Sequence, residues 1–256
     1  MIDSKAVVSG AARIGVNVRI GPFAIIEDDV EIGDNCEIRS HAVIASGSTI
    51  GKNVRVHAGA VIGTEPQDLK FTDTRTTVII GDDTVIREYA TINRGTDATG
   101  TTIVGKNNLI MSYCHVAHDC IIGNNVVISN ATQIGGHVEL EDWVILGGLA
   151  KIHQFCKIGR HSFVGADVKV TKDVPPYVLL GKNPPVIEGV NKIGLKRRDF
   201  SSESVSEIDE FYDIVLRQGF NTSDGLREAK SNGMYESEHI KAAVDFIENS
   251  KRGIYR

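Results

Sequence analysis

The sequence predicts a mainly β fold: a parallel β-helix built of hexapeptide repeats, with a small C-terminal α-helical domain appended. Three observations carry this reading. Aliphatic residues recur every six positions from Ile2 to Val170, with two interruptions. The position two before each aliphatic is small. Beyond residue 185 the period of six is gone and apolar residues take helical spacing.

The aliphatic series runs from Ile2, Val8 and Ile14 to Ile62, resumes at Ile80, Ile86 and Ile92, and resumes again from Val104 to Val170. Neither a 3.6-residue helix nor a simple alternating strand sustains such a period, whereas stacked hexapeptide coils do. Residues two apart on a strand point the same way, so the aliphatic and the small residue share the interior. A narrow interior takes one large and one small side chain per wall. The small slot holds Ala, Val, Ser, Thr or Cys outside the interruptions, Asn108 excepted. Cys36, Cys114, Cys120 and Cys156 all fall in it and read as core residues, and no C-x-x-C pair points to a zinc ribbon or a thioredoxin motif. Corners such as Gly-Asp-Asn at 33–35 and Gly-Asn-Asn at 123–125 carry residues that tolerate left-handed backbone. Three hexads close one triangular coil, stacked on the next at ~4.8 Å.

The period breaks at 64–79 and at 93–103, which are expected to leave the prism as loops. The first carries Gln67, Asp68, Lys70 and Arg75. The β-helix domain is thus expected over 1–185 and the helical domain over 186–256. In the tail, Ser201 or Ser202 can cap a helix with Val205, Ile208, Phe211, Tyr212, Val215 and Leu216 on one face. Asn221 opens a second helix with Leu226, and Ser237 a third with Ile240, Val244 and Ile247.

A formal net charge of −5 argues against a general nucleic-acid binder. The first residues hold no apolar run long enough for a signal peptide. No stretch reaches the ~18 apolar residues of a membrane-spanning helix. A cytoplasmic location is expected.

The segment Cys-His-Val-Ala-His-Asp-Cys at 114–120 puts His118 and Asp119 on a corner expected to be exposed, a plausible general base beside a group to orient it. Eighteen-residue spacing stacks residues on one edge. His118, Gly136 and Gln154 are so spaced, as are Asp119 and His137, with His115 and His153 close by. A lone corner histidine is usually a solvated turn residue; a column of His, Asp, His and Gln reads as a binding or catalytic site.

The motifs QDLK at 67–70, CHVAHDC at 114–120, GH at 136–137, HQFC at 153–156, DVPPY at 173–177 and GLKRR at 194–198 together resemble the UDP-N-acetylglucosamine acyltransferase family. The resemblance runs over the whole chain and implies a left-handed β-helix. It implies transfer of a (R)-3-hydroxyacyl chain from acyl carrier protein to the glucosamine 3-position of UDP-N-acetylglucosamine, the start of lipid A synthesis. It matches His118 to the general base, Asp119 to its orienting carboxylate and the Gly136 N–H to the oxyanion donor. Lys70, His115, His137, His153 and Gln154 match sugar- and phosphate-contacting positions, with Gln67 and Asp68 in the same loop motif. Asn191, Arg197 and Arg198 match positions near the uridine and pyrophosphate. Ala166 stands where a Gly is common at the end of the acyl groove, and is matched to the ruler of chain length. Ile193 stands where many members carry a Glu. The resemblance further implies a homotrimer with sites in the clefts between subunits, and neither metal nor dissociable cofactor.

Two other enzymes remain open. The N-acyltransferase of the same pathway shares the prism and the histidine but normally carries a separate N-terminal uridine-binding domain, for which repeats starting at Ile2 leave no room. A metal-dependent hydratase of the carbonic anhydrase type would use paired histidines five apart, which are missing here. A purely structural prism would leave the polar column unexplained. Lys157, Arg160, Lys169 and Lys172 are candidates for docking the acidic carrier.

Overall fold

The computed structural model describes residues 1–72 and 74–256. The described residues form three sheets, of nine, eight and ten strands. Up to the C-terminal end of the prism, each strand pairs in parallel with the strand three places later in the chain, as Ile122 on Leu140 and Ile128 on Leu146 show. The sheets are therefore the faces of a three-sided prism. Face 1 runs from Val7–Val8 to Lys169–Val170, face 2 from Arg13–Ile14 to Lys157–Ile158, and face 3 from Arg19–Ile20 through Phe163–Val164.

Side-chain period dictates this shape. From Arg19–Ile20 onward, the aliphatic at the end of each two-residue strand points inward and is buried, while its neighbour points out. The interior is a single column of Ile, Val, Leu, Ala and Cys. All four cysteines lie in it as free thiols, and burial pushes Cys114 and Cys156 up to about 11 and Cys120 to about 12. Asn108 is accommodated because its amide bonds the next coil, giving to Gly123 O at 2.8 Å and accepting from Val126 N at 2.6 Å. From Asn17 onward the regular corners turn through one left-handed residue each. Asn17, Asn35 and Asn53 form a side-chain ladder on the edge between faces 2 and 3.

Both interruptions are shorter than the broken period suggests. Strands Val61–Thr64, Thr77–Ile80 and Thr101–Val104 reach into them, because Val78 and Thr102 still fill the small inward slot. What remains, 65–72 with 74–76 and 94–100, leaves the prism between face 1 and face 2 in both cases. The expected boundary at 185/186 falls inside an antiparallel hairpin, Val178–Gly181 with Val186–Val190, that closes face 3.

Helices α1 (Lys192–Lys196), α2 (Ser202–Tyr212), α3 (Thr222–Ser231) and α4 (Glu238–Glu248) follow. Ser201 and Asn221 cap α2 and α3 as their side chains predict. Ser237 precedes α4 without capping it; its hydroxyl donates to Glu207 instead. The short α1, which overlaps the start of GLKRR, was not legible as a helix. The helical layer is seated through the DVPPY segment. Asp173 accepts from Ser250 Oγ at 2.6 Å, and Tyr212 donates to Pro176 O at 2.8 Å. No described helix is long and apolar enough to cross a membrane.

Candidate active site

The corner between faces 1 and 2 carries three successive left-handed residues, Asp119, His137 and Phe155, one per coil. The residue before each, His118, Gly136 and Gln154, forms a parallel column. Stacking thus brings together His118, Asp119, Gly136 and His137. His118 Nδ1 lies 2.7 Å from Asp119 Oδ2, and His137 Nε2 lies 3.5 Å from the same oxygen. The two imidazoles meet edge to face at 5.3 Å, and His137 stacks on Phe155 at 4.5 Å.

The expectation of an exposed corner is wrong for the carboxylate. The Asp119 side chain is fully buried, covered by the segment 94–100, which crosses the same edge one coil earlier. Thr96 donates to it through its backbone N at 2.9 Å and its hydroxyl at 2.7 Å, and Thr99 donates a third bond. Burial by itself would raise this carboxyl, but the bonds from Thr99, His118 and Thr96 outweigh it and hold it at about 2. An ionised carboxylate only accepts, so Nδ1 of His118 is the donor in this pair and Nε2 is the ring nitrogen left outside it.

Gly136 lies under that ring. A Cβ built there would sit 2.6 Å from His118 Cε1 and 2.9 Å from Nε2, so only glycine leaves the imidazole its place. Among the described residues the Gly136 N–H donates no hydrogen bond. His115, on face 1, is held by Thr91 Oγ1 at 2.7 Å, and burial followed by the neighbouring His118 lowers its pKa. Beside it, His115, Ala117, Gln133, Gly135, Lys151 and His153 line a groove of about 320 Å³ on face 1. His153 and Gln154 are exposed.

The first loop emerges on this same edge. Gln67, Leu69 and Lys70 are exposed, while Asp68 shapes the turn by accepting from Lys70 N at 3.0 Å. Arg75 reaches back along the edge to Asp29 at 2.9 Å.

Other candidates lie elsewhere in the chain. Ala166 is exposed on the edge between faces 3 and 1. Arg198 sits on the edge between faces 2 and 3, its guanidinium 5.2 Å from the Trp143 ring centroid and 3.3 Å from His161 Nδ1. Burial, then Arg198, pushes that imidazole down to about 4. Asn191 is buried with both ends of its amide engaged, accepting from Gly194 N and donating to His161 O, which makes it the cap of α1. Arg197 is exposed beside Arg198. Of the docking candidates, Lys157 is paired with Glu139 at 2.7 Å and Arg160 with Glu141 at 3.2 Å, so these two do not offer free charge. His118, Asp119 and His137 hold ligand atoms within 4.8 Å of one another, the one such group among the described residues. Asp119 already accepts from Thr96, Thr99 and His118, bonds that an ion would have to displace.

Thr96 and Thr99 were missed from the sequence. The signal was present: the interruption at 93–103 occupies the corner one coil before His118.

A repetitive prism with a histidine, an orienting carboxylate and an open backbone N–H at one corner defines a hexapeptide-repeat transferase. The bacterial transferase hexapeptide model matches residues 11–46, 29–64 and 101–136, and the model of UDP N-acetylglucosamine O-acyltransferase domain 2 matches 173–255. The acyl-[acyl-carrier-protein]–UDP-N-acetylglucosamine O-acyltransferase of Pseudomonas paraeruginosa is 44% identical over 258 residues, covering 100% of this chain and 99% of the relative. The UDP-N-acetylglucosamine acyltransferase structure from Bacteroides fragilis aligns at a TM-score of 0.98 with 44% identity, covering 100% of both chains. That from Francisella novicida aligns at 0.97 with 40% identity, covering 100% of this chain and 94% of the other. The chain belongs to the UDP-N-acetylglucosamine acyltransferase family and shares its left-handed β-helix fold.

Proposed function

We infer that the protein transfers an acyl chain from acyl carrier protein to UDP-N-acetylglucosamine, the first step of lipid A biosynthesis. The donor is a (R)-3-hydroxyacyl thioester and the acceptor is the glucosamine 3-hydroxyl. The observation that carries this reading is the His118–Asp119 pair, held over Gly136 in a chain so similar to the acyltransferases.

The geometry suits acyl transfer. His118 Nε2 takes the proton of the attacking hydroxyl as its oxygen bonds the thioester carbon. Asp119 holds the imidazole and stabilises the imidazolium that forms. The carbonyl oxygen, now an oxyanion, is met by the Gly136 N–H. Collapse restores the carbonyl, breaks the C–S bond, and passes the proton from His118 to the departing thiolate. His115, His137, His153, Gln154, Gln67, Asp68 and Lys70 lie on or beside this corner and line the sugar and its phosphates. Arg197 and Arg198 offer forks for pyrophosphate, with Asn191 capping the short helix that precedes them.

The active form is a homotrimer. Ala166 and Arg198 occupy edges other than that of His118, so they join one site only when they come from neighbouring copies. Outward apolar ladders support such packing: Val85, Leu109, Val127, Ile145 and Phe163 on face 3, and Ile79, Ile103 and Ile121 on face 2. This reading puts the enzyme in the cytoplasm.

The test is His118→Ala, assayed with hydroxyacyl carrier protein and UDP-N-acetylglucosamine, with mass spectrometry of the product. The variant should fold and lose ~10²–10⁴-fold in turnover. The parent's product should be a base-labile ester; near-normal turnover in the variant, or an amide product, overturns the reading.

A further inference from the structure

We propose that Thr96 and Thr99 are positioning residues for the transfer reaction, acting through Asp119. The proposal rests on the reading of His118 as the general base.

A carboxylate taken out of water is costly unless its oxygens are satisfied. Asp119 is fully buried, yet it reaches only one imidazole partner at close range, His118. The remaining acceptor capacity is met by the segment 94–100. Thr96 grips both oxygens, its N–H on Oδ1 and its hydroxyl on Oδ2, and the Thr99 hydroxyl adds a second donor on Oδ1. The backbone is fixed in turn, since Asp119 N donates to Thr102 Oγ1 at 2.8 Å. These bonds define one plane for the carboxylate. That plane sets where Oδ2 meets His118 Nδ1, and hence which imidazole nitrogen is left as base.

The clamp is itself braced. Thr74 Oγ1 donates to Asp97 at 2.5 Å. The Asn93 amide donates to Glu65 O at 2.8 Å and Thr64 Oγ1 at 3.1 Å. The Arg94 guanidinium lies 5.5 Å from the Phe71 ring centroid. The second interruption thus ties the loop bearing Gln67, Asp68 and Lys70 to the carboxylate behind the base. This gives the 94–100 crossing a task beyond turning the corner, since it brings two hydroxyls and a backbone N–H onto one buried carboxylate.

Removing both hydroxyls in Thr96→Val/Thr99→Val keeps side-chain shape and deletes two of the three donors. Turnover should fall about 10–10²-fold, less than the ~10⁴-fold lost when an orienting carboxylate is replaced. KM for the UDP-sugar should stay within about twofold, since neither threonine meets substrate. Thr96→Ser/Thr99→Ser restores both donors and should recover turnover to within about threefold of the parent. In an Asp119→Asn background the valine pair should cost nothing more, because the threonines act through the carboxylate. In protein labelled with ¹⁵N-histidine, the His118 signal should change from one neutral tautomer to a mixture. Thr99→Val alone, at an exposed residue, serves if the double variant does not fold. Unchanged turnover, equal losses in both backgrounds, or a single tautomer in the valine variant overturns the proposal. If instead His118→Ala is fully active, the base assignment itself has failed.

Discussion

Gly136→Ala tests the corner most directly. The added methyl would lie 2.6 Å from His118 Cε1, 2.9 Å from Nε2 and 3.1 Å from Nδ1, where ordinary contact is 3.4–4 Å. The ring must therefore retreat by about 1 Å, because packed groups do not interpenetrate. Its Nδ1 starts 2.7 Å from Asp119 Oδ2, so a retreat of that size strains or breaks the bond that orients it. A misplacement of ~1 Å in a reacting group costs ~10²-fold, equivalent to ~2.7 kcal/mol at 1.36 kcal/mol per factor of ten. The methyl also crowds the N–H proposed to meet the oxyanion, and losing such a donor costs ~10²–10³-fold.

The fold should survive. Gly136 lies outside the left-handed region, so alanine meets no backbone penalty there. Overpacking costs ~1–3 kcal/mol, and at this chain size each kcal/mol moves Tm by ~2–4 °C. Steady-state kinetics and a thermal melt on the same preparation separate the two effects. Turnover down at least about 10²-fold with a melt shifted by a few degrees is expected. Parent-like turnover would show that the imidazole is not held where the reasoning needs it.

Asp119 titrates at about 2 against an ordinary 3.8, a depressed value, so its stabilising contribution is present above pH ~4 and lost as pH falls towards 2. The gap is worth about 2 kcal/mol, so the difference in urea midpoint between the parent and Asp119→Asn should shrink between pH 5 and pH 2; a constant difference contradicts this. Ala166→Gly should favour longer hydroxyacyl donors and Ala166→Met shorter ones, at ~0.8 kcal/mol per methylene buried and on the order of 10–200-fold where a chain is rejected; an unchanged ranking across a thioester panel removes Ala166 as the ruler. Light scattering at micromolar concentration should give three times the chain mass, and a monomer would contradict the assembly.

Much of the fold was legible because each wall obeys two constraints at once. A position such as Ile122 must be large and Cys120 small, and both must point inward, so one register satisfies the array. That register also stacks His118 on Gly136 and Asp119 on His137 without any knowledge of the turns. It fails where the chain leaves the prism. Residues 94–100 have no period, so nothing in their order says that Thr96 and Thr99 fold down onto Asp119. The burial of Asp119 was misjudged for the same reason, since a bare corner would be wet. The pairing of Lys157 with Glu139 was legible but unused: the two are 18 residues apart on face 2 and both point outward, so the same register stacks them. Helix α1 is five residues long with one buried side chain, too short to show a helical stripe.

Each edge of the prism has its own chemistry. The edge between faces 1 and 2 bears His118, Asp119 and both loops. The edge between faces 2 and 3 bears Arg198 stacked on Trp143. The edge between faces 3 and 1 bears Ala166, with Tyr89, Tyr113 and Leu149 exposed along it. A rigid prism cannot fold its edges together, because every coil is closed by backbone pairing to its neighbours. The proposed transfer joins a hydroxyl on a sugar with two phosphates to an acyl chain from a second substrate, and so calls for all three chemistries within one cleft. Packing three copies about a threefold axis sets different edges of adjacent prisms face to face, and a closed ring repeats the same cleft at each junction. In the proposed trimer that edge faces a cleft, and both insertions leave the prism on the edge that carries His118.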